Sequence, residues 1–500
     1  MTGSFKASRM RRVRVRLALC VWALSFAAHA QTQSADAAMI ARGKAVAIEA
    51  DCAACHTAVG GAPFSGGRAI ESPLGAIVAP NITPSKTAGM GGYTLAQFAD
   101  ALRKGIARDG THLYPAMPYP SYAGMRDEDV AALYAYMTKG IAPVDTRPAI
   151  KTSLGFPFNQ RWLMAGWNLL YGVGPHGNDT GLTAQEQRGR YLVDVAGHCS
   201  SCHTPRGALM NEQGFAYLTG GSVGGWKAPD ITSDPVRGVG GWSEQQLVDY
   251  LRNGHAQGRA SAAGPMAEAI EHSFSQMPQT DLRAIAAYLQ RVPASPSTNA
   301  GVQRADFAWT QARPLAQEND ETGTGSTPDE IAEYRHVSSG AVLYGAACAS
   351  CHGDRGEGKA GVYPSLTSST TVGASDASNL IMTVVQGIDR HDATGQTVMP
   401  AFGRDMSDEQ IAALVNFVTK RFGNPAVTVD ASQVRVTRNG GRTPWLLDNI
   451  KPLIGFSALV GLVAIALLIS IVRWRWQRAR RARIDQAARH SIHANSEYTP

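Results

Sequence analysis

The sequence contains little of the material that usually fills protein cores, and it lacks two common cofactor motifs. Aromatic residues make up 7% of its 500 residues and charged residues 17%, whereas glycine occurs 52 times. It has no strand-associated G-x-G-x-x-G motif and no loop of the form G-x-x-x-x-G-K-[ST], which argues against the usual nucleotide-binding folds. A chain of this length is expected to form three or four domains. Because aromatic residues are scarce, we expect a bound apolar group to complete their cores.

The excess of positive charge is confined to the two ends of the chain. Residues 1–30 hold six Lys or Arg and no acidic residue, and residues 473–500 hold seven Arg against two acidic residues. The part between the two ends therefore carries a net negative charge although the whole chain carries +7. The basic residues indicate targeting and membrane topology, and we expect no nucleic acid partner.

The first 30 residues have the order of a secretory signal peptide. Six basic residues precede an apolar stretch over residues 17–27, which is followed by Ala28-His29-Ala30. A basic region, a short apolar region and a small-x-small site are typical of a cleaved signal. We predict residues 1–30 as a signal peptide and the remainder as exported. An uncleaved N-terminal anchor is the alternative, for which the apolar run is short.

A second apolar segment covers residues 453–472. It holds no charged residue, and 20 helical residues reach about 30 Å, which matches the core of a bilayer. The Arg-rich residues 473–500 follow at once, with Trp474 and Trp476 at the expected interface. We predict one transmembrane helix in the cell inner membrane, with the tail 473–500 in the cytoplasm and the preceding domains on the periplasmic side. A buried core helix is the alternative.

Cysteine usage indicates covalent attachment of haem. Apart from Cys20 in the predicted signal, all cysteines occur in pairs of the form C-x-x-C that are followed directly by histidine. The motifs are Cys52-Ala-Ala-Cys55-His56, Cys199-Ser-Ser-Cys202-His203 and Cys348-Ala-Ser-Cys351-His352. On a helix these positions share one face, so two thiols can bond the haem vinyl groups while the histidine binds the iron. We predict three covalently bound haem c groups; three disulfides or zinc binding are the rival interpretations.

Each predicted haem needs a second axial ligand, and a methionine occurs at one register in all three regions. Residues 79–105 repeat as residues 228–254 at an offset of 149, so the first two regions are internal duplicates. Gly387 takes the place of Gly105 and Gly254 in the third region. Met117, Met266 and Met399 each follow their glycine by twelve residues, and we predict them as the ligands opposite His56, His203 and His352.

Other side chains near these methionines offer alternatives. The neighbouring methionines are Met125, Met277 and Met406, and the histidines that could give bis-histidine iron are His112, His255 and His391. Met277 is the strongest competitor, because proline follows it as proline follows Met117 and Met399. Met266 fits the loop length before the closing helix better. The three histidines fall at unequal distances from the reference glycines, which disfavours them.

The helical pattern predicts an all-α fold with three tandem class I cytochrome c domains and one C-terminal transmembrane helix. Each region closes with a helix of apolar i, i+3, i+4 spacing. Each opens with a helix around Gly43, Gly189 or Gly340, where a small residue lets an aromatic residue of the closing helix approach. The predicted domains are 37–142, 181–295 and 335–425, and the predicted linkers are 143–180, 296–334 and 426–452.

The linkers differ in composition. Residues 143–180 contain Phe156, Trp162 and Trp167, an aromatic cluster that we interpret as interdomain packing, with a quinone or partner site as the alternative. Residues 296–334 are polar and indicate a tether. We therefore expect the first two domains to be tightly paired and the third to be more loosely attached.

The chain resembles the trihaem cytochrome c subunit of membrane-bound bacterial dehydrogenases, the family that serves alcohol, gluconate and sorbitol dehydrogenases. The recognisable stretches are Leu113-Tyr-Pro-Ala-Met117-Pro-Tyr-Pro120, Trp226-Lys-Ala-Pro-Asp-Ile-Thr232, Gly264-Pro-Met266-Ala-Glu-Ala and Thr397-Val-Met399-Pro-Ala-Phe402. The resemblance implies that these methionines are axial ligands. It also implies a catalytic dehydrogenase partner bearing PQQ, FAD or molybdopterin, and transfer of electrons to ubiquinone or another respiratory acceptor.

Histidine and methionine together leave the iron six-coordinate, which favours electron transfer over catalysis. We therefore predict an electron-transfer subunit that is not an enzyme by itself and has no catalytic residues of its own. Two other functions remain open at this point: a cytochrome subunit of a terminal oxidase, and a multihaem peroxidase, which would need one haem without methionine.

Overall fold

The computed structural model describes residues 34–72, 74–172, 174, 179–294, 338–442 and 449–496. The chain divides into two compact units, Met1–Arg442 and Thr443–Pro500, which are described separately. The predicted signal peptide 1–30 and the predicted tether 296–334 lie outside the described residues. Residues 34–142, 179–294 and 338–442, which each hold one C-x-x-C-H motif, are called segments 1, 2 and 3.

Segment 1 opens with a long helix and ends with the closing helix that crosses it. Its helices are α1 (34–49), α2 (Cys52–His56), α3 (Leu95–Lys104), α4 (Tyr119–Tyr122) and α5 (Asp127–Ala135), which continues as a π-helical turn, Tyr136–Gly140. Strands β1 (Ala69–Ser72) and β2 (Gly75–Val78) pair between α2 and α3. The stretch after segment 1 contains β3 (Ser153–Leu154), which pairs with β2, and α6 (Leu163–Tyr171).

Segment 2 repeats this order with additional short elements. It begins with α7 (Ala184–Arg190), its π-helical continuation Tyr191–Ala196, α8 (Ser200–His203) and a 3-10 turn, Gly214–Ala216. Then come β4 (Gly221–Val223), β5 (Trp226–Ala228), α9 (Glu244–Asn253), β6 (His255–Ala256) and β7 (Ala260–Ser261). The segment ends with α10 (Gly264–His272), a 3-10 turn, Phe274–Gln276, and α11 (Gln279–Leu289).

Segment 3 has the same helical frame and a longer hairpin. Its elements are α12 (Gly340–Ala347), α13 (Ala349–His352), α14 (Ser378–Gln386), β8 (Ile388–Asp392), β9 (Gly395–Met399), α15 (Asp408–Phe422) and α16 (Ala431–Arg438). Helix α16 lies within residues 426–452, which were predicted as a linker, and it packs on α14 and α15 with Val434 fully buried. The described packing of segment 3 therefore extends past the predicted boundary at 425.

The opening and closing helices cross at the glycine that the sequence analysis singled out. A Cβ atom on Gly43 would lie 1.9 Å from the carbonyl oxygen of Ala132, and the corresponding distances are 2.0 Å for Gly189 to Ala284 and 2.2 Å for Gly340 to Ala413. The Cβ atoms of the aromatic residues Tyr136, Tyr288 and Phe417 lie within 2.8 Å of these same positions. The predicted role of the small residue is therefore confirmed, because no side chain fits between the two helices.

Helices α3 and α9 show why the repeated sequence folds alike. Each begins at a capping box, Thr94 with Gln97 and Ser243 with Gln246, which satisfies free N–H groups at the helix start. Each ends at a glycine with positive φ, 63° at Gly105 and 66° at Gly254. Gly105 begins the loop that carries Met117, and Gly254 begins the β6–β7 hairpin that leads to Met266 in the first turn of α10.

The fold is rich in helices but is not purely α. Four small antiparallel sheets occur in the described residues, one of three strands and three of two strands. The hairpin between β4 and β5 turns at Gly224 and Gly225, whose φ angles of 55° and 88° suit a two-residue turn of the type that matches strand twist. These strands have two to five residues, too short to show an alternating apolar pattern, which is why the prediction of an all-α fold omitted them.

The buried apolar side chains form two clusters. One runs without a break through segments 1 and 2, and the other lies within segment 3. This agrees with the expectation that the first two regions are tightly paired. Segment 3 nonetheless contacts segment 2 closely, through polar side chains that include the fully buried Arg390.

The second unit contains a single long helix, α17 (Ile450–Ser496). Within it, Pro452–Asp485 is long and apolar enough to cross a membrane, because it holds an 18-residue stretch with a mean hydropathy of 2.6 of which 0% is buried. The predicted span 453–472 lies inside Pro452–Asp485. Exposure of Phe456 and Leu468, each at 66%, is inconsistent with the alternative of a buried core helix. The helix continues through the Arg-rich residues that were predicted as a tail.

Candidate haem-binding sites

Each C-x-x-C-H motif forms a short helix directly after the opening helix of its segment. Cys52 begins α2, whereas Cys199 and Cys348 lie immediately before α8 and α13. All six cysteines of the motifs are free thiols, so the alternative of three disulfides finds no support. No group of three His, Cys, Asp or Glu side chains that could hold a metal ion occurs in the described part of the chain.

Each of the three predicted proximal histidines forms a hydrogen bond with the backbone carbonyl of a proline. The Nδ1 atom of His56 lies 2.8 Å from the oxygen of Pro80, that of His203 lies 2.7 Å from Pro229, and that of His352 lies 3.1 Å from Pro364. A carbonyl oxygen can only accept, so Nδ1 carries the proton and donates it. The lone pair is then on Nε2, as a metal ligand requires.

These prolines were not predicted as site residues. Pro80 and Pro229 were visible in the repeated stretches Ala79-Pro-Asn-Ile-Thr and Ala228-Pro-Asp-Ile-Thr, which could have been interpreted as histidine supports. Pro364 gave no such signal, because segment 3 lacks the repeat.

Burial sets the protonation state of the site. It lowers the pKa of His56, His203 and His352, while the proline carbonyls partly oppose that change. The rings are therefore neutral at neutral pH and ready to bind a metal. Burial also raises the pKa of Cys52 and Cys199 to about 12, so these thiols are uncharged.

The candidate methionine ligands differ in burial from their competitors. Met117, Met266 and Met399 are only partly buried. Met125, Met277 and Met406 are 2%, 2% and 3% exposed and belong to the apolar clusters. Each of these three also lies two residues before the closing helix of its segment, α5, α11 or α15.

Met277 is therefore the structural counterpart of Met125 and Met406. The guanidinium of Arg103 donates to the carbonyl of Met125, and Arg252 donates to the carbonyl of Met277 at 3.4 Å, so the two methionines share a backbone contact as well as a position. The arrangement favours Met266 over Met277 as the ligand of the second haem.

The equal spacing of twelve residues hides a difference in backbone route. In segment 1 the N–H of Leu113 donates to Gly105, and in segment 2 the N–H of Ala262 donates to Gly254, so each methionine lies four residues past that contact. In segment 3 the longer hairpin places Met399 at the end of β9, paired with Ile388. The predicted ligand therefore lies in a loop in segment 1, in the first turn of α10 in segment 2 and at the end of a strand in segment 3.

The histidines considered as alternative ligands have no common arrangement. His112 lies at a bridge with Ile106, the Nδ1 atom of His255 lies 2.8 Å from the hydroxyl of Ser261, and Nδ1 of His391 lies 3.7 Å from a carboxylate oxygen of Glu271. Three different environments do not indicate a shared ligand role.

The first two motifs approach one another at the boundary between segments 1 and 2. The hydroxyl of Tyr122 donates to the carbonyl of Ala50 at 2.8 Å, and its ring meets that of His198 edge to face at 5.6 Å. Ala50 lies two residues before Cys52, and His198 directly precedes Cys199. Burial, with smaller contributions from Asp51 and then Cys202, raises the pKa of Cys55 to about 11. Two attachment motifs are thus connected by a short series of contacts.

The aromatic residues of the predicted linker 143–180 are mostly exposed. Phe156 is 61% and Trp162 is 69% exposed, whereas Trp167 donates from Nε1 to the carbonyl of Leu209 in segment 2 at 2.9 Å. The interpretation as interdomain packing therefore holds for Trp167 and is wrong for Phe156 and Trp162, because nothing in segments 1 to 3 covers them.

These features together define a c-type cytochrome. Each segment has a thiol pair next to a histidine that is hydrogen-bonded to a proline carbonyl, and a partly buried methionine twelve residues after the glycine at an equivalent position. The family model for cytochrome c matches residues 40–140 and 187–293, and that for subunit III of cbb3-type cytochrome c oxidase matches residues 335–418.

Three curated relatives match nearly the whole chain. The fructose dehydrogenase cytochrome subunit of Gluconobacter japonicus is 43% identical over 452 residues, 89% of this chain and 91% of its own. The cytochrome c subunit of alcohol dehydrogenase (quinone) from Gluconobacter oxydans (strain 621H) is 36% identical and covers 86% of this chain and 88% of its own. The gluconate 2-dehydrogenase cytochrome c subunit of Pantoea cypripedii is 36% identical and covers 84% and 94%. The chain belongs to the family of cytochrome c subunits of membrane-bound dehydrogenases, which transfer electrons and are not the catalytic subunits.

Proposed function

We propose that the chain carries three haem c groups in three tandem cytochrome c domains. Their axial pairs are His56 with Met117, His203 with Met266 and His352 with Met399. The observation that carries this proposal is the repetition, in every segment, of a free thiol pair, a histidine donating to a proline carbonyl and a partly buried methionine. Repetition of all three parts is not required by packing alone.

The haem supplies one-electron redox chemistry, and the protein sets its potential and its distance from the next haem. The proline carbonyl makes the histidine a stronger electron donor through Nε2, because it accepts a hydrogen bond from the N–H group at Nδ1. A methionine thioether bound to the haem iron would favour its reduced state and would leave no coordination position for a substrate. The side chains thus hold each centre ready for electron transfer without an open site for substrate.

We infer that electrons enter from a catalytic dehydrogenase subunit that bears PQQ, FAD or molybdopterin, and leave to ubiquinone or another acceptor of the respiratory chain. Support comes from the names of the relatives, which are subunits of fructose, alcohol and gluconate dehydrogenases, one of them designated a quinone enzyme. The predicted signal 1–30 and the apolar helix 453–472 support a position of the haem domains on the periplasmic side of the inner membrane, with one C-terminal anchor.

The test is to purify the protein from detergent-solubilised membranes and to identify what accompanies it. We expect mass spectrometry to give the mass of three covalently bound haems, and a co-purifying dehydrogenase whose substrate reduces them. A chain with fewer haems would contradict the assignment of the sites. Three haems that no dehydrogenase partner reduces would contradict the assignment of the electron donor.

A second candidate function is that of a cytochrome subunit of a terminal oxidase, which the match of residues 335–418 to cbb3-type subunit III favours. In that case an oxidase subunit would co-purify, and the haems would be oxidised by oxygen through it. A multihaem peroxidase is distinguished by carbon monoxide, since fast stoichiometric binding to one reduced haem requires an open iron position.

A further inference from the structure

The β6–β7 hairpin that leads into α10, the helix that carries Met266, is contacted by a side chain from segment 3. In segment 1 the left-handed Gly105 lies under the ring of Tyr119, where a Cβ atom would meet the ring at 2.6 Å. In segment 2 the equivalent Gly254 lies under Arg390, where a Cβ atom would be 2.2 Å from Nε. Gly105 is thus covered by a side chain of its own segment, whereas Gly254 is covered by a side chain of segment 3.

Arg390 contacts the backbone on both sides of this loop. Its Nη1 donates to the carbonyl of Ala262 at 2.7 Å, and its Nη2 donates to the carbonyl of Asn253 at 3.3 Å. Ala262 lies four residues before Met266. The guanidinium therefore holds together the start and the end of the β6–β7 hairpin, which is followed by α10 with Met266 in its first turn.

The same guanidinium is fixed within segment 3. Its Nε donates to Oδ2 of Asp392 at 2.9 Å, and its Nη2 also donates to the hydroxyl of Thr397 at 3.3 Å, two residues before Met399. The side chains of Arg390 and Asp392 are 2% and 0% exposed. A buried, fully bonded guanidinium has one permitted geometry, since moving it would leave a charge without partners.

We propose that Arg390 is a positioning residue for the second haem: segment 3 holds the start of α10, which carries Met266, in its ligating position across the domain boundary. This rests on the proposed role of Met266 as an axial ligand. Segment 1 needs no such help, because Tyr119 covers Gly105 from within and its hydroxyl donates to Asn168 at 2.5 Å. The second methionine–iron bond therefore depends on segment 3, and the first does not.

The test uses the full chain purified from membranes and follows two signals. These are the charge-transfer band that methionine gives to ferric haem, and the three reduction potentials from a spectroscopic redox titration. For Arg390→Gln we expect one haem to lose part of its share of the band and to show a lower potential, because a loosened methionine stabilises reduced iron less. Arg390→Lys should give a smaller change of the same kind, since lysine keeps the charge but not the fork of donors.

Two variants act as matched controls. Asn379→Ala removes a different contact between segments 2 and 3, in which the Asn379 amide binds the backbone N–H and carbonyl of Lys227, each at 2.8 Å. It should leave all three potentials unchanged. Tyr119→Leu removes the corresponding cover in segment 1 and should affect a different haem from the one that Arg390→Gln affects.

Met266→Ala tests the assignment of Met266 as a ligand separately from the positioning role of Arg390. If it leaves the spectrum unchanged, the ligand assignment fails and the role of Arg390 fails with it. If it changes one haem while both Arg390 variants leave that haem as in the parent, the assignment stands and the positioning role is overturned. An equal effect of Asn379→Ala would also overturn it, because any weakening of the boundary would then suffice.

Discussion

The two boundaries between the segments are built from different chemistry. Segments 1 and 2 share one continuous cluster of buried apolar side chains, whereas segments 2 and 3 meet through hydrogen bonds and the buried Arg390. Arg188 adds ion pairs to Glu49 and Asp281, each at 2.9 Å, at the first boundary. When one of two segments that share an apolar core unfolds, the other also loses stability, because the free energy comes from apolar area that both segments remove from water. Hydrogen-bonded contacts are specific in geometry but contribute little net stability each.

This difference predicts that damage to segment 2 also reduces haem attachment in segment 1, whereas damage to segment 3 leaves haem attachment in segments 1 and 2 unchanged. Gly189→Val and Gly340→Val place a side chain against the backbone of the closing helix, and each should cost about 3 kcal/mol or more. We expect Gly189→Val to reduce haem attachment in segments 1 and 2, and Gly340→Val only in segment 3. Peptide mass spectrometry of the three motifs measures this directly.

Gly166→Ala is the control for both changes, because a Cβ atom at Gly166 meets no other atom within 4 Å. If Gly189→Val affected the second motif alone, the shared cluster would not couple the two segments.

A smaller effect is expected from breaking the ion pairs at the first boundary. Glu49 is 4% exposed, and Arg188→Ala leaves it buried without its partner, at a cost of about 3 kcal/mol at neutral pH. Burial raises the pKa of Glu49, and Arg188 opposes that rise. The penalty therefore applies fully above the raised pKa of Glu49 in the folded chain. It disappears as the pH falls below the pKa of Glu49 in the unfolded chain, because the carboxyl group is then protonated in both states.

Denaturant unfolding at several pH values tests this expectation. The double variant Arg188→Ala with Glu49→Gln should recover part of the loss at neutral pH. A cost that does not depend on pH would mean that Glu49 is not its origin.

At the second boundary, removal of single hydrogen bonds should have modest and local effects. Asn379→Ala breaks two bonds to the backbone of Lys227, and Trp226→Phe breaks the bond from the indole Nε1 to Gln386, which is 3.3 Å long. We expect about 1 kcal/mol for each lost bond. Hydrogen exchange should become faster in β5 and α14 and stay unchanged in α5. Faster exchange throughout segment 1 would contradict the division into two kinds of boundary.

The smallest effect is expected for Tyr122→Phe. This change removes the hydroxyl that binds the Ala50 carbonyl and keeps the ring against His198, so it should cost about 1 kcal/mol. Electron exchange between the first two haems, measured after rapid photoreduction, should slow if the hydroxyl contributes to their coupling. Tyr134→Phe is the matched control, since its hydroxyl donates to the Tyr93 carbonyl at 2.7 Å. Equal rates in the two variants would exclude a role for the Tyr122 hydroxyl.

The sequence predicted the parts of the fold that depend on local spacing. Cysteine and histidine at i, i+3 and i+4 must share a helix face, and glycine at a helix crossing leaves a periodic trace, so α2, α8 and α13 and the role of Gly189 were predictable. Its prediction of tight pairing for the first two regions likewise agrees with their common apolar cluster.

Contacts between distant positions were not predictable in the same way. Arg390 is one basic residue among many until the structure places it on Gly254, more than a hundred positions earlier. The proline carbonyls were missed because every residue has a backbone carbonyl, so the sequence does not show which of them accepts a hydrogen bond from a histidine. The Met399 hairpin was missed because equal spacing does not fix the route of the backbone, and the exposure of Trp162 because composition does not say what covers a side chain.

The glycine crossings also bear on how such a chain can grow. Because the opening helix of each segment crosses the closing helix, α5, α11 or α15, at Gly43, Gly189 or Gly340, the two ends of this helical frame lie close together. A copy of a segment can then be joined in series by a connector that needs to bridge only one neighbour, and the inner packing of the existing copies is left as it was. The offset of 149 residues between the first two repeats is what such a duplication leaves in the gene.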